Sequence, residues 1–226
     1  MPTATTMTDQ QGLLRLMAWL SPVFPTGGFA YSSGLETAVE AGLVHERESL
    51  QHWLKNKLEH GAIRNDAILL AEAWRGCQDR EVLIELSDLA LAMSGSRERH
   101  LELTAQAEAF STTIGNWPDL ANLHIPQPSA LCVAVGAAAG FVGIDLRQSL
   151  IAYLHSVVSA QVQAAIRLSV LGQTGAAQIL SGLEPVLSRL AEASETSTAN
   201  DLGSATIAAE IMAMNHEHLQ GRMFRS

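Results

Sequence analysis

From Leu13 to about Gln220, apolar residues recur three and four positions apart, and no stretch of any length alternates apolar with polar. The first spacing gathers side chains into one stripe of an α-helix; the second, which is missing, would line one face of a strand. A chain with only helical stripes to bury must pack helix on helix. The expected fold class is therefore all-α, a single helical-bundle domain of about ten helices over residues 1–226. An aromatic share of only 5% fits helices that meet through Ala and Leu.

Punctuation residues set the expected elements. Leu13 to Leu20 reads as a first helix with Leu13, Leu16, Met17 and Leu20 on one face, and Gly34 to Ala41 as a second that Gly42 stops. Ser49 to Glu59 follows, broken by Gly61, and then Asp66 to Arg75, ended by Gly76. Asp79 and Ser96 are placed to cap the next two helices, the second running to Gly115. Pro118, Pro126 and Pro128 make residues 116–129 a long loop or lobe boundary. Asp145, with Gln148 three residues on, caps the longest helix, Leu146 to Leu171. Thr174 caps another, in which Gly182 and Pro185 predict a kink or break. A final helix spans Thr206 to Gln220, ahead of a C-terminal tail over residues 221–226. Residues 1–10 are expected to be flexible.

Ser21 to Glu36 is the exception to the helical pattern. Pro22 and Pro25 fix backbone angles and remove donors, and Gly27-Gly28 permits left-handed geometry. Phe24, Phe29 and Tyr31 sit among these breakers. A ring-rich loop must bury its rings in its own domain or against another chain, and an anchored loop could present the edge of Tyr31 outward. Ser33 and Glu36 have the spacing of a capping box for the helix that follows.

Composition removes several function classes. A formal net charge of −9 argues against nucleic acid or an anionic membrane as the main partner. Cys77 and Cys132 are far apart and form no disulfide framework, which favours a reducing, cytoplasmic setting. The first residues lack the basic flank and apolar core of a signal peptide. The apolar run from Ala130 to Ile144 falls short of the ~20 residues a bilayer span needs, so a buried helix is expected there. Its small residues, Gly136, Ala139, Gly140 and Gly143, allow close approach to a neighbour.

Sites for small-molecule chemistry are hard to assemble from this chain. Neither Gly27-Gly28-Phe29 nor Leu171-Gly172-Gln173-Thr174-Gly175 supplies the Lys of a P-loop. Ser32 and Ser33 lie in no nucleophile elbow and have no adjacent His base. His216 and His218, two apart, face different sides of a helix and cannot share an ion, while His45, His52 and His60, about seven to eight residues apart, could share a face only on one straight helix, against the polar break around Glu46 and the stop at Gly61. The expectation is no catalytic residue, no cofactor and no dedicated metal site. The tail, in contrast, sets Met223 and Phe224 between Arg222 and Arg225, residue types enriched in protein interfaces.

The pattern Ser21-Pro22-x-x-Pro25-x-Gly27-x-Phe29-x-Tyr31-Ser32-x-Gly34-Leu35-Glu36 resembles the N-terminal signature of the UreF family of urease accessory proteins. Three further segments agree in order: Leu171 to Thr174, Asp201 to Ser204, and His216-Glu217 through Arg222 to Ser226. The resemblance covers nearly the whole chain. It implies an all-helical, non-catalytic cytoplasmic protein that dimerises, joins the accessory protein UreD (UreH), recruits the GTPase UreG and so serves nickel delivery to the urease apoprotein. By position it implies partner contacts at Pro25, Gly27, Phe29, Tyr31, Ser32 and Glu36, at Arg167, and at His216, Glu217, Arg222, Phe224 and Arg225. Two departures stand out: Gln106-Ala107-Glu108 where the family often has a Gly-Arg pair, and His218-Leu219-Gln220-Gly221 in place of the family's usual Thr-Gln-x-Ser. A helical metallochaperone that binds nickel itself is the alternative reading.

Overall fold

The computed structural model describes residues 8–226. Among these residues there are ten α-helices, four short 3-10 turns and no strand. The helices are α1 (Asp9–Trp19), α2 (Leu35–Glu40), α3 (Arg47–His60), α4 (Ala62–Arg75), α5 (Arg80–Ala92), α6 (Arg97–Ile114), α7 (Leu131–Phe141), α8 (Leu146–Arg167), α9 (Gln173–Ser194) and α10 (Ile207–Asn215). One continuous apolar core runs through the bundle. The expected flexibility of residues 1–10 falls in part on 1–7, which lie outside the described residues; Asp9 and Gln10 belong to α1.

The centre is the α4–α7 pair, the most extensive helix contact in the molecule. It is close because two glycines remove the side chains that would hold the backbones apart. A Cβ on Gly136 would lie 2.3 Å from the Leu70 carbonyl oxygen, and one on Gly140 would lie 2.4 Å from that of Trp74. Both distances are far inside van der Waals contact, and the obstacle is backbone that cannot rotate away. Every residue of α7 from Cys132 to Ala139 is buried. Around this pair stand α3, α5, α6, α8 and α9. By length and composition α8 could cross a bilayer, yet half of its apolar stretch is buried, and it packs on α9, α4, α7 and α2.

Local sequence accounts for most boundaries. Asp79 accepts from the Glu81 and Val82 amides, Ser96 from Arg99 and Asp145 from Gln148, each satisfying a free donor at a helix start. Some expectations need correction. The first helix starts at Asp9, because Thr8 and Gln11 form a capping box, and it buries Gly12, Leu16 and Trp19 while Leu13 and Met17 face outward. The fourth begins at Ala62, directly after the Gly61 break. Gly172, not Thr174, occupies the cap position of α9. That helix runs unbroken through Pro185, since Leu183, Val186 and Leu187 are all buried and their packing offsets one lost backbone bond. Gly182 has a packing reason instead: its missing side chain makes room for Gln51.

The Ser21–Glu36 segment is pinned at both ends by rings. Phe24 is buried, with its centroid 5.5 Å from Phe110 and 6.1 Å from Trp117, and Trp19 makes edge contacts with the same two rings. Tyr31 is buried too, whereas Phe29 is 73% exposed. The ring that faces outward is therefore Phe29 and not Tyr31.

A candidate partner-docking site

The expected capping box at the start of α2 does not form. Gly34 takes the cap position with φ +83°, and Ser33 before it is also left-handed at φ +50°. A serine in that region is strained by order 1–3 kcal/mol, and it persists only where surroundings hold it. They do so at all of its polar groups. The Ser33 hydroxyl donates to both Glu102 oxygens at 3.2 Å, its carbonyl accepts from Lys57 Nζ at 3.1 Å, and its amide donates to the Ser226 hydroxyl at 3.3 Å. Gly34 is obligatory for a second reason: a Cβ there would meet the Ala213 backbone of α10 at 2.8 Å.

This turn aims Glu36 inward and frees Ser32 to receive the end of the chain. The last helix stops at Asn215, short of the expected Gln220. Residues His216–His218 form a 3-10 turn, Gly221 reverses the chain at φ +73°, and residues 222–226 fold back on the loop. Arg225 donates its amide to the Ala30 carbonyl at 2.8 Å, and the Ser32 amide donates to the Ser226 main-chain oxygen at 2.7 Å. Glu36 accepts the Met223 amide at 2.7 Å and the Phe224 amide at 3.0 Å. The Phe224 ring is 4% exposed, with the Arg167 guanidinium 4.2 Å from its centroid; Arg167 also donates to the Phe29 carbonyl at 2.6 Å.

His216 closes the arrangement. It is fully buried, with Nε2 2.9 Å from Glu36 Oε2 and Nδ1 2.6 Å from Glu98 Oε2, while Arg222 pairs with the other Glu98 oxygen. Burial pushes the Glu36 carboxyl up, but the bonds from His216, Met223 and Phe224 outweigh it and hold it below the usual carboxylate range. Both ring nitrogens of His216 are engaged by carboxylates of the chain itself. The described residues contain no group of three or more His, Cys, Asp or Glu side chains able to hold one.

Beneath the loop lies a second buried polar cluster. Arg99 bridges Asp66 at 2.7 Å and Glu102 at 3.3 Å, and Tyr153 donates to Asp66 at 3.3 Å. Burial pushes Lys57 down to about 8 and lifts Asp66 despite Arg99 beside it. Cavities of about 250 and 320 Å³ flank the cluster and share Ser33, Asp66, Arg99 and Gln161 in their walls.

Of the residues expected in a contact surface, Phe29, Ser32, Glu36, Arg167, His216, Arg222, Phe224 and Arg225 converge here. Their accessibility differs. Ser32, Tyr31, Glu36, His216 and Phe224 are buried and act within the chain, so Phe224 is no outward anchor; Met223 is the apolar tail residue that remains exposed. Pro25 and Phe29 are exposed on the loop, with Gly27 half-buried between them, and Glu217 is exposed, accepting the Arg97 amide at 3.2 Å. Sequence reading missed Glu98, Glu102, Lys57 and Gln161, whose Nε2 donates to the Ser32 carbonyl at 3.0 Å. The i, i+4 pair Glu98/Glu102 on one face of α6 was the available signal, but such pairs are ordinarily solvated.

The family model described as UreF matches residues 44–184. The chain is similar to the urease accessory protein UreF of Allorhizobium ampelinum, at 51% identity over 98% of this chain and all of that protein. The UreF of Brucella ovis is 48% identical over 99% of this chain and 98% of its own length, and that of Mesorhizobium japonicum 47% over 97% and 100%. A family model spanning more than half of the chain and full-length relatives near 50% identity lead to one conclusion: this chain belongs to the UreF family.

Proposed function

We propose that the chain acts in urease maturation as a non-catalytic scaffold, joining UreD and recruiting the GTPase UreG to the urease apoprotein as a cytoplasmic homodimer. The observation that carries this reading is the composite surface made when the tail closes on the loop. Phe29 projects outward from the loop, Arg167 bonds its carbonyl, and Arg222, Met223 and Arg225 are exposed on the tail held beside that loop. Exposed Phe, Met and Arg grouped on a pre-ordered frame are suited to binding protein, because little side-chain or loop entropy is left to lose. Full-length relatives named as urease accessory proteins support the maturation role.

The test is co-expression with UreD and UreG, followed by sizing of the complex. Phe29→Asp is expected to keep the fold, with a stability change within about 0.5 kcal/mol as for other exposed positions, and to lose one partner from the complex. Removal of residues 222–226 should weaken UreD binding while helicity is kept. Full complex formation by both variants would reject the surface.

A further inference from the structure

A neutral imidazole carries one N–H and one lone pair, yet His216 faces a carboxylate oxygen at each ring nitrogen, 2.9 Å on the Glu36 side and 2.6 Å on the Glu98 side. With both carboxyls ionised they can only accept, so both nitrogens donate and the ring is an imidazolium. The charges then balance, His216 and Arg222 against Glu36 and Glu98. Remove one proton and a lone pair faces an anion at hydrogen-bond distance, at a ring closed to bulk solvent.

The same carboxylates hold the tail. Glu36 receives the Met223 and Phe224 amides, and Glu98 receives Arg222. We infer that His216 is a proton-dependent clasp: doubly protonated, it fixes the C-terminal segment on the Ala30–Glu36 loop, and loss of one proton releases that segment from Gly221 onward. Release uncovers Phe224 and Ser32, so the clasp sets when the composite surface exists.

Other charged groups on the packed elements do not substitute for it. On α2, Glu40 is exposed. On α6, Arg99 is committed to Asp66 and Glu102, and the Arg97 amide to Glu217. On α10, Glu210 accepts from Ser204. Lys57 reaches only the Ser33 carbonyl.

Amide exchange of residues 222–226 in the full-length protein, corrected for intrinsic base catalysis, tests the clasp. A series from about pH 5 to about pH 9 spans the ordinary histidine range. Protection of the Phe224 and Arg225 amides should fall by up to about tenfold per pH unit across the range in which the clasped tail keeps the proton and the released tail does not, while α7 amides stay protected. His216→Gln should leave the tail unprotected throughout. Glu98→Gln is the decisive arm. Its amide can donate to a neutral Nδ1 and its carbonyl can still accept from Arg222, so protection should persist to alkaline pH. Tail protection that is flat with pH in the wild type overturns the inference. So does a Glu98→Gln protein that loses protection just as the wild type does, which would point to Lys57 as the titrating group.

Discussion

The α4–α7 contact and the loop–tail contact are both tight, but in opposite ways. Between α4 and α7 the backbones approach through Gly136 and Gly140, in an apolar helix that leaves no room for an added methyl there. Between the loop and the tail one buried ring, Phe224, is framed by polar and charged groups: Glu36, Glu98 and His216, Ser32 with Ser226, a strained Ser33, and cavities behind. The first is non-directional burial that any shape-matched pair could supply. The second depends on every partner being present and correctly protonated, so it can be undone by one atom. A body that must stay folded and a surface that must be assembled call for these two kinds of contact.

The comparison breaks first, and most severely, at Gly136. Gly136→Leu must push α7 off the Leu70 backbone, and a loss of about 3 kcal/mol or more is expected, read as a lower denaturant midpoint for the whole chain. Retention of the wild-type midpoint would show that the helices can separate without loss. Glu36→Ala comes next. It leaves His216, Met223 and Phe224 without their acceptor, with an expected local loss of about 2–3 kcal/mol. Amide exchange should report this in residues 216–226 far more than in α7, and altered UreG recruitment or urease activation should accompany it. Equal loosening of core and tail would mean that the two regions are one cooperative unit.

Lys57 gives the smallest effect and sharpens the contrast. Its folded value, about 8, lies below the ordinary 10.5, so between these the unfolded chain holds a proton that the folded chain has released. Stability contributed by this group must rise with pH across that window. Lys57→Met should flatten the rise, read from denaturant midpoints across that window. An unchanged slope would assign the titration elsewhere.

Much of the scaffold was legible beforehand. Asp79, Ser96 and Asp145 announced their helices because a cap is a contact within three residues. Gly136 and Gly140 announced a close approach because four small residues in an apolar helix have little other use. The errors came where distant contacts outweighed local preference. Pro185 did not break α9, and Ser33 did not cap α2 because Glu102 held its hydroxyl. Of the site, the sequence marked the loop and the tail but not that they join, nor that Glu98 and Glu102 wait between them.

What the sequence determined by itself is the all-helical class, most helix boundaries, and a ring-bearing interruption before α2. Periodicity, caps and breakers act over a few residues, so they can be read from neighbours alone. Only the tertiary structure decided that Phe29 faces out and Tyr31 in, and that His216 meets Glu36 across 180 positions of chain and Glu98 across 118. Pairing at such separations is fixed by how finished helices pack, and no local pattern carries that information.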